Sequence, residues 1–326
     1  MSHVQAATSP DQRSILAFLA IGAVLYLLLL GAAEYMVYRN GHDNPVYKIA
    51  TADRLHYDWL VLGTSHAMPL GFEKSQSLIE DATGSSILNL SLQGVGPLYN
   101  LVILEQFLET RTASGLIYAV DSFAFRSPQW NEARLADADL LSRTPLKSTF
   151  AQSLLRATLA DGVDPVGFIA YISGFPKLRY SKWFEKDQWS GEDLFERRYR
   201  ASALATDERI KYLYPLSQSG PDLVHYLQVF SKLLDRARAS GMKVIVLKLP
   251  VPPDFYAKLP GEADFNLALE ETLRPKGLSL HDFSKALPDA HYYFDSDHLG
   301  LRRIEAFMPT LVSVMKTDDG EGGRLR

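Results

Sequence analysis

Residues 58–66 read Asp-Trp-Leu-Val-Leu-Gly-Thr-Ser-His, and residues 295–298 read Asp-Ser-Asp-His. The first segment is an apolar strand running into a sharp Gly-x-Ser turn that can expose a serine oxygen. The second sets an acid and a histidine a few residues before the last helix. A serine hydroxyl is a weak nucleophile until a base takes its proton. A histidine base in turn needs a carboxylate to fix its tautomer. Ser65 and His298, with Asp295 or Asp297 as orienter, are the groups such a triad requires. Charge developing on an attacked carbonyl oxygen needs donors aimed at it. The amides of Ser65 and Gly94 are the candidates, Gly94 because a residue without a side chain lets backbone approach a substrate.

Taken singly, these features have plainer uses. Gly-Thr-Ser is a turn, Asp-Ser-Asp-His a polar loop or helix cap, and Gly94 and Gly96 turn glycines. Their meaning comes from the elements that must position them. Residues 59–62, 87–92, 115–120 and 243–249 read as short buried strands, and 278–282 as a fifth, weaker one. Pro97 opens a helix with Leu101, Leu104, Phe107 and Leu108 on one face. A helix over 221–240 has Pro221 and Asp222 in its first turn, an apolar stripe from Leu223 to Ala237, and Gly241 as its stop. A final helix covers about 301–315. Strands separated by helices pair in parallel, which predicts an α/β fold: a three-layer α/β/α sandwich on a mostly parallel, five-stranded, flavodoxin-like sheet. Such sheets bind ligands beyond the carboxyl ends of their strands. Ser65, Gly94 and the Asp121-Ser122 pair all follow such an end.

The chain of 326 residues carries a net charge of −4, has no cysteine and is 47% hydrophobic. A packed core is therefore feasible. The charge balance, without a long basic block, argues against a nucleic-acid partner. The missing cysteines remove disulfides, thiolate metal sites and cysteine nucleophiles together. Ile15 to Ala33 is an uncharged apolar run long enough to cross a bilayer as a helix. It is read as a membrane anchor. Gly31-Ala32-Ala33 also resembles a cleavage site, which leaves a removed signal peptide as the alternative. The expected organisation is a short N-terminal segment (1–13), a transmembrane anchor (14–38), a polar linker (39–55), a core in two pieces (56–121 and 221–316), an insertion (122–220) and a disordered tail (317–326). No cofactor or metal is expected. His281, His291 and His298, with Asp282, Asp289, Asp295 and Asp297 nearby, match no usual ligand spacing. His66 either lines an acyl pocket or packs under the turn. The stretch 177–200, with Tyr180, Trp183, Trp189 and Tyr199 among charges of both signs, offers aromatic platforms for a sugar polymer or is an ordinary solvated insertion.

The constellation resembles the SGNH (GDSL-like) hydrolase superfamily over residues 56–121 and 221–316. Gly63-Thr64-Ser65 is similar to the block bearing the nucleophile, and Gly94 to the oxyanion-hole glycine. Asp295-Ser296-Asp297-His298 is similar to the terminal Asp-x-x-His block, which implies Asp295 as orienter and His298 as base. The third block departs: the family usually places an asparagine in the oxyanion hole, and here the strand runs into Asp121-Ser122, with Ser122 the available substitute. The Gly-Thr-Ser-His spelling and the anchor look like membrane-anchored members of bacterial envelopes, the DltD-like and alginate-acetylation proteins. That resemblance implies an acyl donor, a cell-envelope glycan acceptor, a membrane-bound O-acyltransferase as partner, and a single-pass inner-membrane protein whose domain faces the periplasm. It implies acetyl or D-alanyl transfer through an acyl-Ser65 intermediate, or alternatively a non-catalytic accessory that docks on the acyltransferase.

Overall fold

The computed structural model describes residues 11–40, 44–179, 195, 202–215 and 220–322. The chain begins with helix α1 (Gln12–Asn40) and a short helix α2 (Pro45–Thr51), capped by the Asn44 side chain on the amides of Val46 and Tyr47. Strand β1 (His56–Leu62) follows, then α3 (Glu73–Thr83), β2 (Ile87–Asn89), α4 (Pro97–Thr110) and β3 (Thr112–Ala119). Past four short helical segments (Ser122–Phe125, Pro128–Trp130, Glu132–Leu135 and Ala138–Ser142) come α5 (Ser148–Ala160), α6 (Pro165–Ser173), α7 (Phe175–Arg179) and α8 (Ala203–Leu213). The chain then returns to the sheet through α9 (Gly220–Ala239), β4 (Lys243–Lys248), α10 (Glu262–Leu273), β5 (Leu280–Asp282) and α11 (Met308–Gly322).

All five strands are parallel, in the order β2-β1-β3-β4-β5. This is the flavodoxin-like doubly wound order, whose switch point lies between β1 and β3. Side chains alternate across a strand, so each face feeds its own core. Leu60, Leu62, Leu116, Tyr118 and Val246 join Phe107 of α4 and Phe230 of α9 on one side. Trp59, Val61, Ile117, Ile245 and Leu247 join Ile79 of α3 and Leu311 and Met315 of α11 on the other. The centres of β1, β3 and β4 are buried on both faces, which is why they read as continuous apolar runs rather than alternating ones.

The structure adds detail to the expected organisation. The region read as a polar linker carries α2, whose Val46 and Ile49 are buried in the larger core. Residues of the insertion share that same core: Phe125, Trp130, Leu141, Phe150 and Tyr171. The expected tail is helical as far as Gly322, with the Thr317 hydroxyl bonding back to the Ser313 carbonyl at 2.8 Å. The last helix itself starts later than expected, at Met308, after a 3-10 turn over Leu301–Ala306.

Helix α1 is long and apolar enough to cross a membrane, and among the described residues nothing covers most of its apolar stretch. Only its foot is covered: Ala33 and Val37 are buried, and Tyr26 and Leu30 partly so, all on one helix face. There Glu34 pairs with Lys177 of α7 and accepts the Leu146 amide at 3.0 Å. Burial lowers the pKa of Lys177 despite that partner.

Candidate active site

The site is built at the switch point. β1 ends at Leu62 and the chain turns through Gly63, whose φ is +147°. A side chain there would stand 2.7 Å from the Ala119 carbonyl at the end of β3, so glycine alone lets the two strands stay paired through the turn. Thr64 then caps a 3-10 turn over Ser65–Gly71, and its hydroxyl donates to Asp121, the second residue past β3. Asn89, at the end of β2, steadies the turn by donating to the Ala67 carbonyl at 2.7 Å. Leu92 bonds its amide to the Gly63 carbonyl at 3.3 Å, which carries the chain toward Gly94 alongside the serine turn. Gly94 has φ +61°.

The base arrives from beyond β5. Tyr293 and Leu299 form an antiparallel bridge, and the Phe294 amide bonds to the His298 carbonyl at 3.1 Å, which closes Asp295–His298 into a tight loop. Within it, Asp295 Oδ1 accepts the amides of Asp297 at 3.0 Å and His298 at 2.7 Å. The carboxylate so fixed lies 2.9 Å from His298 Nδ1 through Oδ2, and His298 Nε2 lies 2.8 Å from Ser65 Oγ. With Nδ1–H donated to Asp295, Nε2 is left to accept the serine proton. Ser65, His298 and Asp295, picked from the two ends of the sequence, therefore form one hydrogen-bonded chain. Ser65 and His298 are each only 4% exposed.

Asp297 stands beside this chain rather than in it. Its Oδ1 is 3.3 Å from His298 Nδ1 and accepts from Ser296 at 3.2 Å. Its Oδ2 accepts from Arg209 Nε of α8 at 2.8 Å and lies 3.4 Å from His66 Nε2. His66 in turn sets Nδ1 2.6 Å from Asp121 Oδ1. Two histidine–carboxylate pairs thus lie side by side, their rings 4.8 Å apart and tilted by 66°, with Asp297 bridging them.

The electrostatics follow from this packing. Burial alone would lower the pKa of His66, but the charge and hydrogen bond of Asp121, then Asp297, overcome it and lift His66 to about 10. His66 is therefore an imidazolium at neutral pH. Burial likewise works against protonation of His298, and Asp297 and Asp295 outweigh it, so its pKa is raised above the usual histidine value. Burial pushes Asp297 up, but His298, His66 and Arg209 hold it well below the carboxylate range. Burial also pushes Asp121 up, and His66, Thr64 and Lys248 outweigh it and lower its pKa.

The Ser122 hydroxyl is engaged by other side chains. The residue is buried, its hydroxyl lies 2.6 Å from Tyr214 and donates to Glu262, and Glu262 pairs with Lys248. An apolar collar of Met68, Phe72, Phe195 and Leu301 packs together with Phe294 near the base. Phe294 lies against the His298 ring with centroids 5.7 Å apart, and Phe195 meets its edge at 5.8 Å.

One triplet, His66, Asp297 and His298, brings donor atoms within 4.8 Å of one another. Both nitrogens of each ring already face a partner within the network, so these atoms suit hydrogen bonding and ion pairing better than a cation. His281 stacks on Phe283 and His291 lies against Tyr292, so neither joins His298.

Sequence reasoning missed three members of this network. Asp121 was read only as the place where an asparagine is lacking, although its position past β3, beside β1, marks it as able to reach the serine turn. His66 is neither pocket lining nor inert filling. Arg209 carries no local signal, being one charged residue on an insertion helix. The aromatic and charged stretch around Trp183 and Trp189 lies outside the described residues.

Comparison of the sequence with protein-family profiles and with curated proteins gives no match. Among solved structures, the chain is similar to one described as a "putative acylhydrolase" from Bacteroides fragilis, at 9% identity and a TM-score of 0.39, covering 82% of this chain and 93% of that one.

Proposed function

We propose that this protein is a membrane-anchored, serine-dependent acyltransferase or esterase acting on O-acyl groups, acetyl or D-alanyl, of a bacterial cell-envelope glycan. The observation that carries the reading is the hydrogen-bonded chain Ser65–His298–Asp295 at the switch point of a doubly wound sheet. In the first half-reaction His298 Nε2 takes the proton from Ser65 as Oγ attacks the acyl carbonyl carbon. The amides of Ser65 and Gly94 receive the oxyanion. His298 returns the proton to the departing alcohol oxygen as its bond to the carbonyl breaks, leaving an ester on Ser65. In the second half-reaction a glycan hydroxyl, or water, gives its proton to His298 and attacks the carbonyl carbon of that ester; as the bond from this carbon to Ser65 Oγ breaks, His298 returns the proton to Oγ, which frees the acylated glycan, or the acid when water is the acceptor. Asp295 holds the ring and offsets the charge of the imidazolium throughout. The span in α1 fits a single-pass inner-membrane protein with this domain on the periplasmic face.

One observation favours a second reading, a non-catalytic accessory that docks on a membrane-bound O-acyltransferase. Ser65 is nearly closed off from solvent beneath the apolar collar. Intact mass after treatment with a fluorophosphonate separates the two. The catalytic reading expects a single adduct on the wild type that is missing in Ser65→Ala. A folded wild type that takes no adduct supports the accessory reading.

A further inference from the structure

The insertion carries a face with no use inside the domain. Helix α6 runs from Pro165 to Ser173 without a charged residue. Gly167 and Tyr171 point inward: a side chain at Gly167 would stand 2.6 Å from the Ala136 backbone, and the Tyr171 hydroxyl bonds to the Pro145 carbonyl and accepts the Lys147 amide at 2.9 Å. Val166, Ile169 and Ile172, spaced by three on the opposite face, are 65%, 58% and 46% exposed. In water this is an uncompensated apolar stripe on a helix held rigidly from behind.

The position of α6 along α1 explains the stripe. Gly174, which ends α6 with φ +68°, abuts α1: a side chain there would meet Leu30 Cδ1 at 2.5 Å and the Tyr26 hydroxyl at 3.3 Å. Both residues lie inside the apolar run, which closes at Ala33, just before Glu34. At helical rise Leu30 is about 5 Å, and Tyr26 about 10 Å, inside that limit. The carboxyl end of α6 is thereby placed at the depth where interfacial helices seat their apolar faces, about 5–10 Å into the headgroup and acyl boundary.

We infer that α6 is an interfacial helix that lays Val166, Ile169 and Ile172 into the bilayer beside α1, so that the domain rests on the membrane instead of swinging on its anchor. This rests on α1 spanning the membrane. The occupant is lipid, because the stripe is continuous with the span through Gly174 and has no polar group to pair with a protein surface.

The lack of cysteine makes the test direct. Full-length single-cysteine variants Val166→Cys, Ile169→Cys and Ile172→Cys carry a nitroxide label in phosphatidylethanolamine–phosphatidylglycerol vesicles. Leu25→Cys in the span and Leu267→Cys on α10 serve as lipid and water references; both parent residues are exposed. Collisions with oxygen, which partitions into lipid, are compared with collisions with a water-soluble nickel chelate. Expected is an oxygen-to-nickel ratio at 166, 169 and 172 several-fold above that at 267 and approaching that at 25. A water-like ratio at the three sites with a lipid-like ratio at 25 overturns the role of α6 and leaves the anchor standing. Labels at the three sites shielded from both reagents point to a protein partner and also overturn it. A water-like ratio at 25 removes the anchor and the inference with it, without touching the Ser65 chemistry.

Discussion

Two carboxylates lie within 3.3 Å of His298 Nδ1, and neutralising each should damage a different property. Asp295 is the hydrogen-bond acceptor of the ring and of two backbone amides. In Asp295→Asn the amide oxygen keeps the backbone bonds, and the NH2 turns toward Nδ1. Nδ1 must then accept, the ring proton moves to Nε2, and Nε2 no longer accepts from Ser65. Loss of the correct tautomer costs about 10,000-fold in a serine triad, so fluorophosphonate labelling of Ser65 should slow by about 1,000- to 10,000-fold. Stability should change little, because the Asp295 side chain is 24% exposed and its backbone bonds survive. Asp297→Asn does the reverse. Its side chain is 1% exposed and faces Arg209 and His66. Removing one partner of a buried ion pair costs about 3–5 kcal/mol, and the 19% exposure of Arg209 brings the expectation down to about 2–4 kcal/mol. Labelling at pH 8 should stay within about ten-fold of wild type, since the Ser65–His298–Asp295 bonds are untouched. Its acid limb should move to lower pH, because Asp297 is the leading charge that raises His298. The assays are the pH-resolved labelling rate and urea melts of all three proteins. Rapid labelling of Asp295→Asn together with near-complete loss in a normally stable Asp297→Asn would refute the assignment.

His66→Gln should lose stability in a pH-dependent way. The folded pKa of about 10 lies above the ordinary 6.5, so the stabilisation is fully present below about pH 6.5 and fades as pH rises through 10. Urea melts should show the gap to wild type widest near pH 6 and closing toward pH 10. The same variant removes a cation near His298, so its labelling should fall off at a higher pH than in wild type. Ser122→Ala should cost about 1–3 kcal/mol by leaving buried Glu262 and Tyr214 short of a partner, yet leave the labelling rate near wild type; a collapse in labelling of the folded variant would place Ser122 in the oxyanion hole after all. Gly63→Ala forces a side chain onto the Ala119 carbonyl at positive φ and should cost about 1–3 kcal/mol or more, read in a thermal melt.

The sheet was legible because strands buried on both faces leave unbroken apolar runs, and Trp59–Leu62 and Val244–Leu247 are such runs. β5 was the faintest for the converse reason: it is an edge strand whose residues are half-buried or exposed. β2 is shorter than its apolar run, since Asn89 turns its side chain to the Ala67 carbonyl. Ser65, His298 and Asp295 could be picked out because each sits in a local motif at a strand end, and the topology brings such ends together. The partners of His66 could not, because its bonds to Asp121 past β3 and to Asp297 past β5 join three distant parts of the chain and leave no mark in any one of them. The choice between Asp295 and Asp297 was open in sequence for a similar reason. It depends on how a four-residue loop folds back on its own amides.

The distance along the chain between Ser65 and His298 has a consequence in time. The base is made 233 residues after the nucleophile, which at 5–20 residues per second is a lag of roughly 10–50 s. Throughout that interval Ser65 lacks the imidazole that faces its hydroxyl in the finished fold, since His66 of the same turn sets its Nδ1 against Asp121 instead. Even after synthesis, His298 reaches Ser65 only once β5 has docked on β4 and the following loop has closed. On the proposed mechanism, reactivity is thus the last property the chain acquires. A stalled or truncated product carries a well-formed serine turn with no power to acylate anything.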